Sequence, residues 1–386
     1  MDETWWRTPE QLDPDQQDIV SLPLEGSHLV IGPPGSGKTN LLLLRASYLT
    51  RAGRPNIAVI TFGRVLREFL ATGAGNYPFE PRRLQTFRTW AVDLLKANGD
   101  NVDTTGKFPE IRRRIMLSLT DLAGRSGAEL RFDCILVDEA QDYTIEEIKI
   151  IRSFCDEIFA VGDNDQRIYE SDGALGYLGS VCNVAPELKY HYRNGTAICI
   201  LADGIMNRVD GGMLETCNYD ESTYPSTVRR LGGLALSDQI AAAVPELETQ
   251  LVAYPNEWIG VLAPLKVDVG RVFEALSDTA VGDKVQLQRY EDGYDTLDRE
   301  KPIIVTTMHS AKGLEFRAAH LFALDTITKL DNHQRVAYTA VTRAKTSLAL
   351  YHEGSVPGYI ERGLVALEGA PSEAPSLGEL FGGASK

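Results

Sequence analysis

The run His28-Leu29-Val30-Ile31-Gly32-Pro33-Pro34-Gly35-Ser36-Gly37-Lys38-Thr39 joins a short apolar strand to a Gly-rich loop, and Asn40-Leu41-Leu42-Leu43-Leu44 continues it as a helix. The loop has the spacing G-x-x-x-x-G-K-[ST] in the strand–loop–helix setting that this pattern requires. Its glycines let backbone N–H groups turn inward around a polyphosphate, and the helix N-terminus adds positive dipole. Gly32, Pro33, Gly35, Ser36 and Gly37 are therefore candidate phosphate-loop positions. Lys38 is expected to meet the β- and γ-phosphates, and the Thr39 hydroxyl to hold Mg²⁺.

A second word supplies the partner. Ile135-Leu136-Val137-Asp138-Glu139-Ala140-Gln141-Asp142 is an apolar strand that delivers two carboxylates at its C-terminal end, where open α/β sheets bind ligands. Asp138 is the candidate Mg²⁺ ligand and Glu139 the candidate acceptor of a proton from attacking water. A lone Asp-Glu pair at a strand end is commonly a solvated terminus. Beside a phosphate loop it points to nucleotide hydrolysis.

On either side of these two words, short apolar strands alternate with helices, the signature of an α/β fold with parallel sheets. In the first half strands are expected at His28–Ile31, Ile57–Phe62, Arg83–Thr86, Cys134–Asp138 and Ile158–Val161. In the second half they are expected at Ile259–Ala263, Val285–Gln288, Ile303–Thr307, His320–Ala323 and Leu348–Tyr351. One helix leaves the Gly-rich loop and ends near Gly53; another runs from Pro109 to Ala123 with Ile111, Ile115, Leu119 and Leu122 at helical spacing. Two lobes follow, 1–187 and 188–356, crossing over near Pro186–Leu188, with a C-terminal helix and Gly/Pro/Ser-rich tail over 357–386.

The 386 residues suffice for two such cores. No run of eighteen apolar residues predicts a membrane span, and the Met1-Asp2-Glu3 start lacks a secretory pattern, so a cytoplasmic location is expected. Five widely spaced cysteines show no CxxC or Cys/His ligand spacing, which favours reduced, buried thiols over structural zinc. The formal net charge of −15 weakens long-range attraction to phosphate without forbidding a local basic groove.

The words that follow resemble, in order, the motifs of UvrD/PcrA-type superfamily 1 helicases. Gly162-Asp163-Asn164-Asp165-Gln166-Arg167-Ile168-Tyr169 looks like GDxxQxIY, and Leu188-Lys189-Tyr190-His191-Tyr192-Arg193 like L-x-x-x-YR. Thr307-Met308-His309-Ser310-Ala311-Lys312-Gly313-Leu314-Glu315-Phe316 is close to T-x-H-x-x-KGLEF, and Tyr338-Thr339-Ala340-Val341-Thr342-Arg343-Ala344 to Y-x-x-x-TRA. Gln16 sits upstream of the loop as the family's adenine-reading Gln does, and Thr61-Phe62 and Thr86-Phe87 resemble two early DNA-contacting motifs. The set spans residues 12 to 345.

The resemblance implies two RecA-like P-loop NTPase domains in tandem and an ATP hydrolase. It implies that Gln16 reads adenine, Tyr192 stacks on it, and Glu315, with Gly313 beside it, meets ribose. Gln166 would sense the γ-phosphate, while Arg193 and Arg343 would act as arginine fingers from the second lobe. Phe62, Thr86, Phe87, Arg88 and His309 would touch a single strand, DNA ahead of RNA.

The sequence also departs from the family. Ser171 and Asp172 stand where a base-stacking Trp and an Arg are expected, which removes a contact of roughly 1–3 kcal/mol per base. Asn40 replaces an Arg near the adenine. The intervals Phe87–Val137, about fifty residues, and Arg193–Val305, about 110, leave little room for the large inserts that grip duplex in such enzymes. Two functions stay open: a minimal single-strand translocase or helicase working inside a larger protein assembly, and an ATP-driven conformational switch for a protein partner with weak or no nucleic-acid binding. A P-loop kinase for a small molecule would leave Arg343 and the KGLEF word unexplained.

Overall fold

The strand before the Gly-rich loop, β1 (His28–Ile31), lies inside a sheet rather than at its edge. The structure is a computed structural model that describes residues 9–61, 80–106, 108–125, 131–164, 173–288 and 297–369. β2 (Ile57–Thr61), β3 (Leu84–Thr86), β4 (Phe132–Val137), β5 (Cys155–Gly162) and β6 (Asn183–Val184) complete the first sheet in the order β3-β2-β4-β5-β1-β6. All its pairings are parallel. Parallel strands covered on both faces read as unbroken apolar runs, as Ile57–Thr61 and the second half of Phe132–Val137 do.

The second sheet contains β7 (Thr227–Gly232), β8 (Ile259–Ala263), β9 (Val285–Leu287), β10 (Ile303–Thr307), β11 (Phe316–Leu321) and β12 (Ala344–His352). Its order is β7-β12-β11-β8-β10-β9, again parallel throughout. The fold is therefore two six-stranded parallel sheets in an α/β arrangement, two RecA-like domains in tandem.

β6 and β7 have no counterpart among the expected strands. Both residues of β6 are exposed, and β7 carries Arg229 and Arg230 on an edge, so neither has an apolar run to announce it. β11 begins four residues before the expected start, because buried Arg317 interrupts its hydrophobic pattern. It also stops short of Ala323, which adopts a left-handed φ of 50° and opens a 3₁₀ turn.

The helix Lys38–Arg51 is buried along most of its length, with Leu41, Leu42 and Leu43 fully inaccessible, while Tyr48 and Arg51 are exposed. The helix Phe108–Arg125 covers the other face of the first sheet through Ile111, Ile115, Leu119 and Leu122, all buried. One apolar cluster runs from Val30 and Leu41 through Leu188 to Ile198, Leu321 and Leu350, so the two sheets share a core. The C-terminal helix Gly358–Glu368 packs on the helix Thr196–Met206, crossing where Gly204 meets Gly363; a Cβ on Gly204 would lie 2.4 Å from Gly363 Cα. Among the described residues no helix is long and apolar enough to cross a membrane.

All five cysteines are free. Although their spacing offers no ligand pattern, folding gathers Cys199, Cys217 and His191 so that their ligand-type atoms lie within 4.8 Å of one another. Both sulfurs lie near the same carbonyl, Asn194 O, at 3.4 and 3.3 Å.

Candidate functional site

Because β4, β5 and β1 are neighbours, their C-terminal ends bring Asp138, Asp163 and the Gly-rich loop to one place. Gly35 and Gly37 have φ of 78° and 84°, a region that side chains strongly disfavour. A Cβ on Gly35 would also lie 2.7 Å from the Cβ of Arg193, so this glycine permits the second half of the chain to approach the loop. Lys38 Nζ reaches back to the carbonyls of Gly32 and Pro33, both at 2.7 Å, and to Asp163 Oδ2 at 3.5 Å. The buried Ser36 hydroxyl donates to Pro33 O at 2.9 Å, bracing the turn.

Gln16 lies in the helix Pro14–Val20, whose Asp13 cap accepts from Gln16 N at 2.8 Å. Its amide donates to Ser36 O at 3.0 Å, so a side chain twenty positions upstream is anchored to the loop itself.

Thr39 Oγ1 donates to Asp138, 3.1 and 3.3 Å from its two oxygens. Burial, reinforced by the neighbouring charge of Glu139, pushes the Asp138 carboxyl up to about 7. Glu139 has a left-handed φ of 51°, held by its own N–H on Asp138 Oδ1 at 3.0 Å and by Gln141 Nε2 on its carboxylate at 2.5 Å. Burial opposes its charge, but Lys312, Arg343 and Lys38, with the hydrogen bond from Gln141, outweigh burial and hold Glu139 below its usual value.

The opposite wall comes from the starts of strands. β11 and β12 pair Phe316 with Ala344, and Phe316 N donates to Arg343 O at 2.9 Å, which sets Glu315 and Arg343 side by side. Arg193 is ion-paired to Glu315, and Lys345 lies 3.7 Å from the other oxygen of that carboxylate. Arg193 Nε is buried without a partner. Arg343 is 2% exposed and donates to Thr339 O and Leu314 O at 3.0 and 3.2 Å. Burial, then repulsion from Arg193, lowers it to about 10. Tyr192 N donates to Gly35 O at 3.3 Å, and its hydroxyl to Asp13 at 2.5 Å.

These groups enclose one cavity of about 620 Å³. Lys38, Thr39, Asp138 and Glu139 line one side; Tyr192, Arg193, Gly313, Glu315 and Arg343 line the other. Residues 16–172 match the family described as an AAA domain, and residues 302–351 match the UvrD-like helicase C-terminal domain. The chain is a UvrD-like superfamily 1 helicase family member. The curated proteins include no match to it. Membership of the UvrD-like family makes it one of a class of helicase and NTPase motors that use ATP and generally bind nucleic acid.

The positions expected to contact a strand are less uniform. Phe62 and Gln166 lie outside the described residues, as do Ser171 and Asp172. Thr86 caps the helix Phe87–Ala97 by accepting from Thr89 N at 3.2 Å. The Phe87 ring is 8% exposed and packs against Trp90 and Tyr143, so it presents almost no face to a base. Arg88 donates to Thr104 O at 3.3 Å. His309 is half-buried, and burial lowers its pKa.

Several residues with prominent positions carried no role in the sequence. Lys312 crosses to Asp142 and Glu139, at 2.7 and 3.7 Å; its presence between His309 and Glu315 in the same word was the available signal. Tyr219, Asp220, Tyr224 and Arg317 also line the cavity, and the stretch 219–224 matches no motif.

Proposed function

We propose that this UvrD-like chain is an ATP-dependent single-strand translocase motor, hydrolysing Mg-ATP in the cleft and working within a larger protein assembly in the cytoplasm. The observation that carries this reading is the cavity's two-sided lining, Lys38 and Glu139 facing Arg193 and Arg343. In this reading residues 1–187 form the ATP-binding lobe and 188–356 the second lobe, with the helix Gly358–Glu368 and a tail completing the chain.

The residues suit the ligands. A hydroxyl and a carboxylate about 3 Å apart are hard oxygen donors of the kind Mg²⁺ takes, and a buried Asp138 with its pKa pushed up to about 7 gains from a cation. Mg²⁺ held there would neutralise phosphoryl charge. Lys38, resting on loop carbonyls, would turn to the phosphate oxygens. Glu139, kept ionised by three cations, would take the proton of attacking water. Arg193 and Arg343 would offer planar donor forks to the transferring phosphoryl group, so hydrolysis would need both lobes closed.

A second reading, an ATP-driven switch for a protein partner with weak or no strand binding, is favoured by the buried Phe87 ring and the net charge of −15. The deciding measurement is steady-state ATP hydrolysis with and without single-stranded DNA and RNA, at low and moderate salt. Stimulation by DNA supports the motor; a flat response with tight nucleotide binding supports the switch.

A further inference from the structure

Going away from the Gly-rich loop, the cavity wall passes from Arg193 to Glu315 and then to Arg317. Arg317, on β11 and two residues past Glu315, lines the same cavity. It is only 6% exposed. Its backbone is fixed by Arg317 N on Trp258 O at 2.8 Å. Its guanidinium lies 3.8 Å from the centroid of the Tyr224 ring and 5.4 Å from that of Tyr254.

Among the described residues no hydrogen bond or ion pair engages this guanidinium, and Nε is buried without a partner. A buried cation left so is costly, and stacking on tyrosine offsets only part of that cost. Aromatic rings occupy its surroundings, so the unmet capacity is its donor fork, which matches phosphate oxygens bidentately. Nearby acids do not fill the role. Glu315 is engaged by Arg193 and Lys345, while Asp220 is fully exposed and accepts from Ser222 and Thr223.

We infer that Arg317, stacked on Tyr224, forms an anion subsite that takes a phosphate carried on the ribose of the bound nucleotide. This rests on the reading that Lys38 holds the 5′-polyphosphate and Glu315 meets the ribose; a group esterified to the 2′- or 3′-hydroxyl would then face the part of the cavity that Arg317 lines. The ligand class is a ribose-phosphorylated nucleoside triphosphate.

The test is calorimetric titration of the full chain, carrying Glu139→Gln to prevent turnover, with ATP, 2′-phospho-ATP and 3′-phospho-ATP. One of the two phosphorylated forms is expected to bind about tenfold or more tightly than ATP, the gain of a charge-assisted contact. Arg317→Gln should bring that ratio to about one, and Arg317→Lys should retain part of it. Equal or weaker binding of both phosphorylated forms by the Arg317 chain overturns the inference, whether or not the variants fold. So does a preference that survives in Arg317→Gln. A Lys38→Ala chain separates the premises: if it binds all three ligands undiminished, the nucleotide reading of the loop has failed, not the Arg317 subsite alone.

Discussion

Lys312 Nζ stands 2.7 Å from Asp142 Oδ1, an ion pair that joins the two halves of the chain. Lys312 is 7% exposed and Asp142 is 1% exposed, so this is an interior pair rather than a surface one. The same ammonium lies 3.7 Å from Glu139 and contributes to holding that carboxylate in its charged form. One cation therefore ties the relative position of the lobes to the readiness of the proposed base.

Replacing Lys312 with Met should lower both stability and turnover. Removing one partner of a buried pair costs about 3–5 kcal/mol. Burial already pushes Asp142 up to about 7 against the pull of Lys312, and without that lysine its folded pKa rises further above its unfolded value. A raised folded pKa makes the carboxyl bind its proton more tightly when folded, so the penalty is small at acid pH and grows as pH rises. Thermal melts of both chains at pH 5 and pH 8 check this: the gap should widen at pH 8. A gap that narrows would show that Asp142 is not the partner that matters.

Lys38→Ala should weaken nucleotide binding, whereas Glu139→Gln should preserve it and reduce turnover by about 10²–10⁴-fold, the usual range for a positioned base. Fluorescent-nucleotide titration and phosphate release measure the two separately. Equal turnover by the unmodified chain and Glu139→Gln would remove Glu139 from this role.

Arg343→Lys should reduce turnover by about 10²-fold or more while leaving nucleotide affinity within a few-fold, because an ammonium cannot reproduce the planar fork. Single-turnover hydrolysis reports this directly. Thr339 O and Leu314 O also lose their guanidinium donor, so a melting curve accompanies the assay. Unchanged single-turnover rates would place Arg343 among purely structural residues.

Cys217 should be the first thiol to alkylate. A hydrogen bond from Cys199 lowers it to about 7 although burial opposes this, and it is half-buried where Cys134, Cys155 and Cys199 are buried. Since a lowered pKa enlarges the thiolate fraction near neutrality, its rate with iodoacetamide should rise through pH 7. Peptide mass spectrometry of the native protein reads this out; first modification at Cys182, whose pKa burial raises, would contradict it.

The parts of the site that could be read from sequence are those written as contiguous words on buried strands. β1 with its loop and β4 with Asp138 and Glu139 are apolar runs ending in chemistry, so local pattern and final position coincide. Gln16 needed the resemblance, since nothing in its surroundings signals that its amide will reach Ser36. Arg317 is not legible in the sequence, because a charged residue in a buried strand reads as a break in the pattern. Phe87 shows the converse: its Thr-Phe word resembles a strand contact, yet the ring finds Trp90 and Tyr143 in the core. The Cys199, Cys217 and His191 cluster depends on an isolated parallel bridge between His191 and Cys217, a pairing that linear spacing does not express.

The glycine-to-glycine crossing of Gly204 and Gly363 leaves no slack between the last described helix and the helix that follows Arg193. A dye placed at Val365, which is 62% exposed on the outer side of that last helix, must travel with the arginine-bearing wall. Leu117, 60% exposed on the helix Phe108–Arg125, rides with the opposite sheet. Energy transfer between these two positions is thus a built-in ruler for the cleft, readable while the chain turns over.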